Sequence, residues 1–205
     1  MKKADAFRHI VALRTTRPIE TEATCGLGGG TGFFVRQDDT YYLVTAAHVA
    51  LGTTLGTEVV VQNQETGMPL SIALHKLSPF QAWLYHPIAD LAILKVKGKA
   101  PIDVSPYAID VSCFANNFDI YPDRDLLLTA FGLSEIPDSL PFMPFTYDSF
   151  PSSDLWMWYY DRKGNNFKGF LLDKPAVQGY SGAPVLDLSG DTPYCYGIIH
   201  GTFGD

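Results

Sequence analysis

What most limits the fold of this chain is a succession of short β-branched and aromatic runs with little helical periodicity among them. "HIVALR", "TGFFV", "TYYLVTAA", "EVVVQ", "LSIAL" and "LAILKV" follow one another in the first hundred residues, set apart by Gly, Asp, Asn and Thr. Residues of the first kind favour the pleated, half-buried surface of a strand, and those of the second favour turns. The stretch "KGKAPIDVSPYAID" then reads as a Lys-, Pro- and Gly-rich connector, after which "DLLLTAFGL", "LWMWYY", "FKGFLL", "APVLDL" and "YCYGIIHG" resume the strand pattern. The expectation is an all-β protein in two successive halves, residues 1–98 and 111–205, with residues 99–110 between them. Regular spacing without a repeat period suits a sandwich or barrel rather than a propeller or solenoid. The segment "SEIPDSLPFMPFTYDSFPSSD" reads as a long Pro-rich loop whose aromatics either pack it down or line a binding surface.

Composition narrows the function. With 205 residues and 46% hydrophobic content, the chain can bury a sizeable core. A net charge of -7 and scattered Lys and Arg leave no basic footprint, so nucleic acid is not an expected partner. No run approaches the roughly 18 apolar residues of a membrane span, so no membrane partner is expected either. The start, "MKKADAFRHIVALR", is broken by Asp5 and Arg8 and lacks the apolar run of a signal peptide. Three cysteines, Cys25, Cys113 and Cys195, cannot all pair within one chain, which points to a reducing compartment, the cytoplasm. Cysteines and histidines also lack the close pairs of a zinc site, so no metal and no cofactor are expected.

Chemistry is signalled at three places. "KPAVQGYSGAPVLD" sets Ser181 in a Gly179-Tyr180-Ser181-Gly182 turn. "YLVTAAHVAL" carries His48 just past a strand, where Ala46 and Ala47 let the chain turn and the imidazole face a cleft. "HPIADLAILKV" carries Asp90 immediately before an apolar strand, a position from which a carboxylate is partly buried. An α/β-hydrolase is excluded, because its acid and histidine would follow the serine, whereas His200 alone among the histidines does so.

The order His48, Asp90, Ser181, together with "GGGTGFFV", "TAAHV", "DLAILKV", "AFGL" and "GYSGAPV…YGIIHG", resembles the chymotrypsin-like serine peptidases, and among them the disulfide-free trypsin-like domains of the HtrA kind. The resemblance covers nearly the whole chain. It implies two six-stranded-type antiparallel β-barrels acting as one catalytic unit, the first carrying His48 and Asp90 and the second carrying Ser181. It implies a serine endopeptidase acting on a peptide or protein substrate: Ser181 as nucleophile, His48 as general base and acid, Asp90 holding the imidazole. The oxyanion donors by family position are the backbone N–H groups of Gly179 and Ser181.

The same resemblance places the substrate pocket against Asp173, Pro175, Ile199, His200 and Gly201. Pro175 stands where trypsin-like relatives carry an acid, and Asp173 is the acid nearest to it. Relatives that cleave after Glu carry a histidine one residue before the place of His200, so His200 is expected to pack towards Asp90, and His86 to be a surface turn residue. Tyr180 replaces the aspartate that receives a new amino terminus in trypsin, so "RHIV" is expected to open the first strand rather than to be cleaved. The chain ends five residues after His200, and the second barrel is expected to lack its last strand, completed by a later segment or a partner strand. The alternative function is a catalytically silent scaffold that binds peptides along a strand edge.

Overall fold

The Asp38–Asp39 turn, with Asp38 at φ 53°, a conformation that Asp tolerates better than most side chains, folds strand β2 (Gly28–Gln37) back on β3 (Thr40–Thr45). Period-two alternation along β2 then joins the halves. Phe34 enters a core with Val11, Leu13, Leu43 and Val59, whereas its neighbours Phe33 and Val35 enter a second cluster with Leu127, Leu186 and Cys195 from the C-terminal half. The computed structural model describes residues 3–15, 28–114, 125–131, 144–152, 157–160, 166–177 and 179–201.

In the N-terminal half, β1 (Val11–Thr15), β2, β3, β4 (Thr57–Gln62), β5 (Pro69–Ala73), β6 (Trp83–Tyr85) and β7 (Ala92–Lys95) form one antiparallel sheet in the order β5-β4-β1-β2-β3-β7-β6. It folds around the first core, with two one-turn helices, α1 (Ala47–Leu51) and α2 (Leu74–Leu77), at its rim. The 3₁₀ turn Lys3–His9 precedes β1, so "RHIV" spans the end of that turn and the start of the strand. The end of the connector is itself a strand, β8 (Ala108–Asp110), which pairs in parallel with β2.

The C-terminal half contains β9 (Leu126–Ala130), β10 (Phe145–Ser149), β13 (Pro184–Asp187) and β14 (Tyr194–Ile198) in the sheet order β10-β9-β13-β14. A separate pair is made by β11 (Met157–Tyr160) and β12 (Asn166–Gly169). Its core is built from Leu126, Leu128, Tyr180, Val185, Tyr196 and Ile199. Phe114 makes one parallel bridge to Cys195 of β14. The all-β double-barrel architecture expected from the sequence is the one found.

A further local reading is corrected. The Pro-rich segment is no uninterrupted loop, because Phe145–Ser149 within it is β10, in register with β9 from Phe145 opposite Ala130 to Ser149 opposite Leu126. Pro144 and Pro151 lie outside the ladder of β10 with β9, Pro151 making a separate antiparallel bridge to Leu172, so neither ring removes a hydrogen bond of that ladder, and "FTY" between them has the residue types of a strand. Residues 134–143, 153 and 154 of that segment lie outside the described residues. The strand β6 was not legible, because a three-residue strand shows no alternation. No helix among the described residues is long and apolar enough to cross a membrane. Cys113 and Cys195 are free thiols, and Cys25 lies outside the described residues.

Candidate active site

Pairing between β3 and β7 assembles the first part of the site. Thr45 lies opposite Ala92, so the residues after β3 meet those before β7. Beyond Thr45 the chain turns into α1, whose buried Val49 and Ala50 anchor the turn and leave His48 on its open side, the side chain about half exposed at 51%. Asp90 sits in a loop closed by His86: its backbone N–H donates to Leu91 O at 2.8 Å, and its Nδ1 accepts from the N–H of Ala89 at 2.9 Å and of Ile88 at 3.2 Å. His86, expected as a surface turn residue, is exposed and shapes the turn that presents Asp90.

Three N–H groups converge on the Asp90 carboxylate. The His48 backbone N–H donates to Oδ1 at 2.8 Å, His48 Nδ1 lies 2.5 Å from Oδ2, and His200 Nδ1 lies 2.7 Å from the same Oδ2. An ionised carboxylate only accepts, so each imidazole carries its proton on Nδ1 towards Asp90, and Nε2 of a neutral ring is left as an acceptor. Partial burial works against ionisation of Asp90, but the hydrogen bonds from His200 and His48 outweigh it and hold the carboxyl well below its ordinary range. Asp90 is therefore a fixed anion between two imidazoles.

These three side chains also form a compact group of metal-ligand types. Ligand atoms around a zinc ion with bonds near 2.0–2.1 Å stand about 3.3 Å apart in a tetrahedron. The nitrogen-to-oxygen separations of 2.5 and 2.7 Å are shorter than that and suit shared protons.

Ser181 stands in the facing half, in a turn with two glycines at positive φ: Gly179 at 96° and Gly182 at 85°. Tyr180 between them is buried and packs against Tyr147, ring centroids 5.4 Å apart, so a core aromatic stands where the ion-pairing acid of trypsin would be. The turn is tied to the first half by Thr31, whose N–H donates to Ser181 O at 3.0 Å and whose Oγ1 donates to Gly179 O at 2.8 Å and accepts from Phe131 N at 3.0 Å. Thr45 Oγ1 donates to Thr31 O at 2.7 Å. On its other side, Gly182 N–H donates to Ile199 O and Ile199 N–H to Ala183 O, both at 2.8 Å. Among the described residues, no hydrogen bond joins the Ser181 hydroxyl to His48.

Thr31 and Thr45 were not singled out from the sequence, since a threonine in a strand reads as β propensity. The three bonds of Thr31 span both halves, and Thr31→Val should leave Phe131 N–H and Gly179 O without this partner at a cost of about 1–3 kcal/mol. Urea denaturation of the two proteins, read as a change in midpoint, measures it.

The residues expected to line a pocket are placed less uniformly. Ile199 is buried in the second core, while Pro175 and Gly201 are exposed. Tyr147 Oη donates to Pro175 O at 3.3 Å, and burial, followed by the proximity of Tyr180 and Asp173, pushes that phenol up to about 12, so it stays a donor. The exposed Asp173 accepts from Ser149 Oγ at 2.6 Å and Phe150 N at 2.8 Å, bonds that lower its proton affinity and bind its carboxylate to the end of β10. His200 is on the Asp90 side of the site.

Comparison with known proteins places the fold. No curated protein sequence matches the chain. A solved structure described as "Crystal structure of Deg5" is similar at a TM-score of 0.54 and 18% identity, with 92% of this chain and 78% of that chain covered. At that identity the likeness speaks for the fold, which is that of a chymotrypsin-like serine peptidase. The family model described as "Trypsin-like peptidase domain" matches residues 30–192, a span that runs from within β2 through the Ser181 turn, and the chain belongs to that family.

Proposed function

We propose that the chain is a serine endopeptidase working through Ser181, His48 and Asp90. The observation that carries this reading is the pair of bonds from His48 to one carboxylate, ring Nδ1 and backbone N–H together, which fixes the tautomer and the plane of the imidazole. With Nδ1–H held by Asp90, Nε2 accepts the Ser181 proton as Oγ adds to the scissile carbonyl carbon, and the carbonyl π pair moves onto oxygen. Collapse of that tetrahedral species breaks the C–N bond, and the His48 proton passes to the leaving amine. Water then repeats the sequence on the acyl-serine and frees the acid, with Ser181 reprotonated by His48.

The oxyanion needs donors set in place beforehand, and Gly179 at φ 96° supplies the backbone conformation for one of them. The test is to treat the protein with a fluorophosphonate probe and locate the adduct by mass spectrometry. A single adduct on Ser181, absent from Ser181→Ala and His48→Ala, is expected. A protein that leaves the probe untouched would be a peptide-binding scaffold instead.

A further inference from the structure

We propose that His200 is a positioning residue for this chemistry: its imidazole shares the Asp90 oxygen that orients His48, so its proton load sets how strongly Asp90 supports His48. The inference rests on the peptidase reading and concerns regulation of that same site. Asp90 Oδ2 takes N–H groups from both rings, at 2.5 Å from His48 and 2.7 Å from His200, and the ring centroids stand 6.3 Å apart, edge to face at 71°. The position of His200 is fixed by the backbone that also holds the Ser181 turn, through the paired bonds of Ile199 with Gly182 and Ala183. Among the described residues, the titratable groups seen against His200 include Asp90, from the loop before β7, and His48, from α1.

As a neutral ring, His200 offers Asp90 one N–H and leaves the carboxylate charge to His48. Protonated, it places a full positive charge beside the ring that must itself become cationic when it takes the Ser181 proton, and like charges oppose that step. The hydrogen bond to Asp90 raises the proton affinity of His200 above the ordinary imidazole value, against a smaller opposing effect of partial burial. Both imidazoles bond one carboxylate oxygen, so a proton added to His200 is felt at His48. Activity falls in two stages as the pH drops: partly when the pair takes its first proton, and completely when His48 is protonated.

The test is the pH dependence of the fluorophosphonate labelling rate at Ser181 in the wild type and in His200→Asn, which keeps an N–H for Asp90 but cannot be charged. Expected for the wild type is an acid limb with two ionisations, the intermediate stage about three- to tenfold below the alkaline plateau. His200→Asn should show one ionisation and no intermediate stage. Superimposable single-ionisation profiles for the two proteins would overturn the proposal.

A second readout keeps the test valid if the variant labels poorly. In imidazole ¹H–¹⁵N NMR, His48 and His200 of the wild type should displace one another's titration, and His200→Asn should move the His48 midpoint upward. An unmoved midpoint also overturns the proposal. If the wild type never labels but the imidazoles titrate as a coupled pair, the peptidase reading falls and the pairing of His200 with Asp90 is supported.

Discussion

Ser181→Ala and His48→Ala are each expected to lower turnover by on the order of a million-fold, with the double variant hardly worse than either single one. The non-additivity follows from the chemistry: without the base the hydroxyl is a poor nucleophile, and without the nucleophile the base has no proton to take. Asp90→Asn should cost less, roughly ten-thousand-fold, because the amide can donate to Nδ1 and so favours the tautomer whose Nε2 carries the proton. That variant also removes the charge against which His200 is held. Steady-state turnover of a quenched peptide mixture, alongside circular dichroism to confirm folding, measures all four proteins. Substantial turnover in Ser181→Ala would end the serine-peptidase reading.

Gly182→Ala carries the second large effect, on stability as well as activity. A Cβ at this position would run into Thr31 O and Thr45 Oγ1 and come within 2.8 Å of Ala46 N, and φ 85° is a conformation that L side chains rarely adopt. None of these neighbours yields easily. Thr31 O accepts the Thr45 hydroxyl, and Ala46 begins the turn that presents His48. Insertion of a methyl group would therefore push the two halves apart at the line where they meet. The expected loss is about 3–5 kcal/mol, measured by urea or thermal unfolding, together with loss of probe labelling. Ser181→Ala, by contrast, removes one oxygen from a partly exposed side chain and should leave the unfolding midpoint nearly unchanged. A Gly182→Ala protein as stable as wild type would refute the close packing of the nucleophile turn against Thr31.

The strand pattern was legible because it depends on residue type and period alone. "EVVVQ" and "APVLDL" become β4 and β13 within a residue or two, since a β-branched run between turn residues has few other ways to bury itself. β10 was hidden because its prolines, read as breakers, fall just outside the residues paired with β9. The candidate catalytic residues were legible for a different reason: His48, Asp90 and Ser181 each sit at the edge of a strand run, in an order that the family resemblance marks out. Asp173 and Pro175 were harder, because a pocket is made of loops, and loop geometry follows from hydrogen bonds such as Ser149 to Asp173 that join residues far apart in the chain.

By itself, the sequence determined the all-β class, the two halves and the identity of the candidate catalytic residues, for these are properties of local residue type and chain order. Only the tertiary structure decided that His200 shares a carboxylate oxygen with His48, that Thr31 ties the Ser181 turn to the first half, and that Phe33 and Phe34 serve different cores. Asp90 and His200 lie 110 residues apart, and Thr31 and Gly179 lie 148 apart. Contacts across such separations come from sheet register and from the packing of one barrel on the other, and a one-residue slip in the register of β2 would turn Thr31, Phe33 and Phe34 to the opposite face.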